Sequence, residues 1–188
     1  TFAPNIAVHL NLTPDHIDRH GDLDGYIAAK MRIFAGVGQA VIGIDDAPSR
    51  QMRTQVLDAG PRTIFDVSVI GSVEKGADVE DGVLYDAMTG DAEDIVELKT
   101  IAALPGLHNH QNSAAAYAVA RLVGLKAVDI VAAMKTYPGL PHRMFTVRTM
   151  GGIPYINDSK ATNADAAGKA LACYTNIHWI LGGQPKDG

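Results

Sequence analysis

IAVHLNL, from Ile6 to Leu12, is β-branched and largely apolar, and it runs into the polar string Thr13-Pro14-Asp15-His16. That texture belongs to a strand buried on both faces, as in a parallel sheet, and not to one that alternates between core and water. Downstream, apolar residues at Leu23, Tyr26, Ile27, Ile33 and Phe34 recur near helical spacing. A second strand is expected over 40–44, ending at Asp45-Asp46, and then a polar helix over 49–59 stopped by Gly60-Pro61. Strand, helix, strand, helix is the rhythm of an α/β fold with a mostly parallel sheet.

From Thr63 to Ile101 the texture changes to short β-rich runs at 63–70, 82–86 and 95–98, the pattern of a small antiparallel flank. An Ala-rich helix over 109–122 and a second over 128–134 follow, ended by Gly124 and by Pro138-Gly139. Beyond Pro141 the α/β rhythm restarts, with strands expected at 144–147, 153–156 and 178–181 and a helix at 163–172. Proline and glycine cluster at 139–141, which puts a domain boundary near residue 140 and divides the chain into 1–140 and 141–188.

The chain has 188 residues, 47% hydrophobic and 20% charged, the composition of a globular protein with a real core. Sixteen Lys and Arg against twenty-one Asp and Glu leave a net charge of −5 without a basic stripe, so a general grip on nucleic acid is not expected. One cysteine, Cys173, excludes an internal disulfide and suits a reducing compartment. No run approaches the roughly 18 apolar residues of a membrane span, and no leader is visible, so a cytoplasmic protein without membrane contact is expected. Both ends look cut: the chain opens on Thr1 and stops at Gly188 in a glycine-rich loop.

The polar segments carry the chemistry. His16 lies in Thr13-Pro14-Asp15-His16-Ile17-Asp18-Arg19-His20, just past a buried strand, where open α/β sheets gather ligands; a polar turn capping the next helix is the simpler account. Lys30, alone on a helix, reads as a solvated charge. Leu107-His108-Asn109-His110-Gln111-Asn112 opens the Ala-rich helix. Asn109 could be its cap, yet two histidines and two asparagines exceed what capping requires. His142-Arg143 follows the boundary, where a guanidinium suited to phosphate meets an interdomain cleft; an interdomain salt bridge is the alternative. Asn157-Asp158-Ser159-Lys160-Ala161-Thr162-Asn163 leaves a strand and enters a helix with six polar residues in seven, more than a cap needs beside an anion-attracting helix start. Gly182-Gly183-Gln184-Pro185-Lys186 lacks the G-x-x-x-x-G-K-[ST] spacing, and no phosphate-cradling P-loop occurs in the chain.

Taken together, Gly139-Leu140-Pro141-His142-Arg143, Asn157-Asp158-Ser159-Lys160-Ala161-Thr162-Asn163 and Leu181-Gly182-Gly183 resemble the Mur ligases, and among them the branch that adds D-glutamate. The resemblance covers essentially the whole chain. It implies the later part of a P-loop-type central ATPase domain at 1–140, and at 141–188 the opening of an incomplete Rossmann-like domain that takes the amino acid. It implies ATP and Mg2+ as cofactors, with UDP-N-acetylmuramoyl-L-alanine and D-glutamate joined through an acyl phosphate. His16 and Lys30 are then catalytic and metal-binding, Lys30 as a carbamate, which reverses its solvated reading. Asn109, Asn112, Arg143 and Asp158 meet the nucleotide, while His142, Lys160, Thr162 and Lys186 meet substrate. The cradle-less chain alone is expected to be inactive. Another Mur-type or folylpolyglutamate-type ligase, and a non-catalytic nucleotide-binding module, stay open as alternatives.

Overall fold

A computed structural model describes residues 2–13 and 20–183, so the expectations for His16 and Lys186 lie outside the described residues. Six strands form one sheet in the order β1 (Ile6–His9), β2 (Gly38–Gly43), β3 (Arg62–Ser68), β4 (Gly76–Glu80), β5 (Val83–Ala87) and β6 (Glu93–Glu97). The first four run parallel to one another and the last two complete an antiparallel flank, as the mixed α/β reading expects, except that the run at 63–70, expected in that flank, is the parallel strand β3, inserted between β2 and β4. Helix α1 (Leu23–Met31), extended by a 3-10 turn at Arg32–Phe34, links β1 to β2, and α2 (Ala47–Ala59) links β2 to β3. Helices α3 (Leu107–Leu122) and α4 (Ala127–Thr136) follow the flank.

The alternation of β2 builds three layers. Val41 faces a cluster with Val67, Val79, Leu84, Ala114, Tyr117 and Ala118, so α3 covers that side. Ala40 and Ile42 face Ile27, Phe34, Met52 and Val56, so α1 and α2 cover the other. All three β2 side chains are 0% exposed, which is why this strand lacks a polar alternation. Burying the Val41 or Ile42 side chain contributes about 1.5–3 kcal/mol.

Helix α2 starts at Ala47, not at 49, because Asp46 caps it: its Oδ1 accepts from the Ser49 amide at 2.8 Å, and Pro48 fits the first turn. At the opposite end of the sheet, buried Arg62 donates to the carbonyls of Phe34, Gln39, Pro4 and Ala35 at 2.8–2.9 Å. One planar fork thus ties the 3-10 turn to the starts of β1, β2 and β3.

Sequence reading misses β4. Gly76-Ala77-Asp78-Val79-Glu80 looks like an acidic linker, yet Asp78 is 1% exposed and accepts the Val73 amide at 3.1 Å, with burial pushing its carboxyl above the usual range. Residues 69–75 are thereby folded back tightly enough to place β4 parallel to β3 without a helix between them.

Strands β7 (Phe145–Met150) and β8 (Ile153–Asn157) form a separate antiparallel hairpin, and α5 (Ala164–Leu171) follows with Asn163 as its cap, accepting the Ala166 amide at 2.8 Å. The strand expected at 178–181 is not there. A strand exists only through a partner ladder, and among the described residues β7 and β8 pair with each other alone; Ile180 is 96% exposed.

Beside β1, the exposed Val8 and half-buried Leu10 line an apolar groove of about 490 Å3 with Ala115, Ala116, Val119 and Val123 of α3. The far edge, β6, presents Glu93, Asp94 and Glu97. Among the described residues no helix is long and apolar enough to cross a membrane.

Candidate active site at the carboxyl ends of the strands

Three strand ends and one helix start meet in a polar network. After β2, Asp45 accepts the Ser68 hydroxyl at 2.7 Å and the Val69 amide at 3.2 Å, both at the end of β3. Its second oxygen accepts Gln111 Nε2 of α3 at 2.9 Å, and Gln111 Oε1 accepts Asn11 Nδ2 from the segment after β1 at 2.8 Å. Gln111 is buried and spends both ends of its amide on these bonds. This is the crevice where a parallel sheet receives ligands.

A second network lies on the α2 side of the sheet. The Ser49 hydroxyl donates to Asp46 Oδ2 at 2.7 Å, so it accepts from His9 Nε2 at 2.8 Å, which assigns the ring proton to Nε2. The Leu12 amide also donates to Asp46, at 3.2 Å. Burial holds the His9 pKa below its ordinary 6.5; Asp46 opposes that and the Lys30 charge adds to it. Lys30 Nζ sits 4.8 Å from the Tyr26 ring centroid.

His108 and His110 are likewise pushed down, chiefly by burial. A histidine whose pKa falls on folding binds fewer protons native than unfolded, so its stabilisation is present above 6.5 and is lost as pH drops below that value. Melting temperature is therefore expected to fall on acidification from about pH 7 to about pH 5, more shallowly in His9→Gln; an unchanged slope in that variant would exclude His9 as a contributor.

The start of α3 corrects the reading of Asn109 as its cap. Gly106 is the cap residue, at φ 85, and a Cβ there would run into Cys173 Sγ and come within 3.2 Å of the His108 ring. Asn109 lies inside the helix with its amide donated to the Pro105 carbonyl at 2.8 Å, while Asn112 is exposed. The chain beyond residue 140 packs against this turn: Cys173 fills the space at Gly106, and the charges of Lys169, Asp158 and Arg143 all act on His108.

The loop residues of that second part hold one another. His142 and Met144 have left-handed φ of 65° and 46°, an arrangement that costs about 1–3 kcal/mol per residue unless its surroundings enforce it. They do: the Met144 amide donates to Asp158 Oδ1 at 3.0 Å, the Lys160 amide to the His142 carbonyl at 3.0 Å, and Asn157 Nδ2 to His142 Nδ1 at 3.0 Å. Arg143 is thereby fixed in the backbone between His142 and the Asp158-bound Met144, and its side chain is exposed, as are Lys160 and Thr162.

Of the residues singled out by sequence, Arg143 and Asp158 thus lie within charge range of His108 in the first turn of α3, which carries Asn109 and leads to Asn112. Lys30 stands apart from them, with Tyr26 and within charge range of His9. Asn11, Asp45 and Gln111 escaped the sequence reading. The only signal was the acidic pair closing β2, because the partners are 66 and 100 residues apart.

Residues 1–120 match the Mur ligase middle domain. The UDP-N-acetylmuramoylalanine–D-glutamate ligase of Rhodospirillum rubrum is 50% identical over 98% of this chain and 39% of its own length. That of Caulobacter vibrioides is 47% identical over 100% of the chain and 41% of its own length, so the chain spans about two fifths of these relatives. Among solved structures, MurF from Acinetobacter baumannii superposes with a TM-score of 0.67 at 21% identity, covering 92% of this chain and 38% of that one. MurC from Thermotoga maritima gives 0.61 at 18%, covering 90% and 38%. At such identities the two structures speak for the fold alone.

Proposed function

Because the chain belongs to the Mur ligase family, we propose that it is part of an ATP-dependent ligase joining D-glutamate to UDP-N-acetylmuramoyl-L-alanine in peptidoglycan precursor synthesis. The observation that supports this reading is the packing of Cys173 against Gly106 at the start of α3, which brings the loop of Arg143 and Asp158 within charge range of His108, near the carboxyl ends of the parallel strands. In this reading residues 1–140 are the later part of the ATP-binding domain and 141–188 open the amino-acid-binding domain. The reaction runs in the cytoplasm, where ATP and nucleotide-linked sugars meet.

The chemistry joins anions. A carboxylate oxygen of the L-alanyl end attacks the γ-phosphorus and ADP leaves; the D-glutamate nitrogen then attacks the acyl carbon, loses a proton and expels phosphate. Arg143 can grip phosphate oxygens with two parallel N–H bonds, and Asp158 orients it through the Met144 turn. Asn112 offers an exposed amide to the nucleotide, and Asn109 fixes the turn through Pro105. Lys160 and Thr162, with Lys186 and His142, receive the D-glutamate carboxylates and the acceptor.

Magnesium supplies charge neutralisation between the phosphates and the attacking carboxylate. Among the described residues no cluster of three or more His, Cys, Asp or Glu could hold a metal, so the ion would draw on phosphate oxygens, water and His16. Lys30, 4.8 Å from the Tyr26 ring centroid, would supply a further oxygen donor to the ion if carried as a carbamate.

The expected result is D-glutamate-dependent release of phosphate from ATP by the longer polypeptide carrying this segment, with L-alanine or D-alanyl-D-alanine inactive in place of D-glutamate. The isolated 188 residues, which have no phosphate cradle, are expected to release no ADP. Equal turnover with another amino acid would assign the segment to a different ligase, and turnover by the isolated chain would remove the need for a cradle.

A further inference from the structure

We infer that Gln111 is a positioning residue for nucleotide binding, setting the direction of the first turns of α3; this rests on the function proposed above. Its amide is clamped at both ends, by Asn11 after β1 and by Asp45 after β2, and Asp45 is itself fixed by Ser68 and Val69 after β3. Three strand ends therefore hold one side chain of one helix.

A helix turns about 100° per residue, so fixing Gln111 fixes the direction of Asn112, one residue on, and of Asn109, two residues back. Farther along α3, Tyr117 and Arg121 both donate to Asp86 of β5, at 2.6 and 2.9 Å, and hold the later turns. Among the described residues the first turns carry no such bond to the sheet except through Gln111, and the small Ala114 and Ala115 beside it give apolar contacts that lack direction. The two amide bonds are directional and buried, and losing either leaves an unpaired group. Asn109 is bonded only within its own turn, to Pro105, and so cannot orient the helix on the sheet.

The test uses the longer ligase that carries this segment, with ATP binding followed by calorimetry alongside steady-state kinetics. Gln111→Leu keeps the size and loses both bonds. It is expected to weaken ATP about tenfold, equivalent to 1.4 kcal/mol, with kcat and the KM for D-glutamate changed less than about twofold. Gln111→Glu sets a second carboxylate against Asp45 and is expected to weaken ATP further. Gln111→Glu combined with Asp45→Asn reverses donor and acceptor, since the new amide can donate to position 111 while its oxygen still accepts from Ser68 and Val69. That pair is expected to restore ATP affinity to within about threefold of wild type.

Unchanged ATP affinity in Gln111→Leu overturns the inference. So does a fall in kcat and both KM values that merely tracks a lower melting temperature, and so does failure of the double variant to recover. A wild-type protein that binds ATP but ignores D-glutamate refutes the proposed function while leaving Gln111 to be judged on affinity. One that binds no ATP refutes both.

Discussion

Gly43→Ala is expected to remove much of the stability of the chain. Gly43 ends β2 in the middle of the parallel sheet, and a Cβ there would overlap the Leu10 carbonyl oxygen and lie 2.9 Å from its carbon. Both are backbone atoms of the segment that continues β1, so no side-chain rotation relieves the overlap. Overpacking of a core costs typically 1–3 kcal/mol, and with backbone as the obstacle we expect roughly 3 kcal/mol or more against a total of about 5–15. With a urea m-value of about 2 kcal/mol/M, the midpoint falls by about 1.5 M. Gly71→Ala, whose added methyl meets nothing within 4 Å, is the matched control and is expected to leave the midpoint within about 0.3 M. A Gly43→Ala midpoint as high as the control's would mean that β1 and its extension lie farther from β2 than described. The same substitution displaces Asn11 and Asp45, so activity is expected to fall with stability.

Arg143→Ala, made in the longer ligase, is expected to lower turnover by about 10²–10³, the scale on which one preorganised charged donor to a transition state is valued. The side chain is exposed, whereas its neighbour Met144 is buried, so the melting temperature is expected to stay unchanged. Arg143→Lys keeps the charge but not the planar fork, and it is expected to recover only part of the loss. Retention of activity within threefold in Arg143→Ala would mean that the guanidinium is a bystander at the joint, and that the left-handed residues on either side of it serve the turn alone.

The fold was legible wherever burial imposes a simple texture. Ile6–His9 and Gly38–Gly43 read as strands of a mostly parallel sheet from their apolar, β-branched runs, and the five α-helices were found to within a few residues; Arg62–Ser68 was expected in the antiparallel flank, because its sequence carries no sign of which neighbour it pairs with, yet it runs parallel to β2. The failures have particular causes. Gly76–Glu80 hid behind Asp78 and Glu80, since a buried carboxyl bonded to a backbone amide looks in sequence like a surface charge. His178–Leu181 looked like a strand because its apolar residues state a preference, while pairing requires an edge that these residues do not meet. The candidate site divides in the same way. The polar excess of 157–163 and of His142-Arg143 stood out against local structural needs. The amide of Gln111 could not, because its meaning comes from partners that only the folded sheet brings to it.

The two margins of the large sheet differ in kind, and that difference gives it a direction of growth. Glu93, Asp94 and Glu97 surround the outer rim of β6 with like charge, which repels a neighbouring ladder. On the opposite rim Ile6–His9 pairs, among the described residues, with β2 alone, and its outer side runs along an oily channel floored by alanines of α3. Any additional polypeptide, whether from the same gene product or from elsewhere, is thus invited to knit on at one side only. There it would lie within reach of the asparagine that looks out from that same helix.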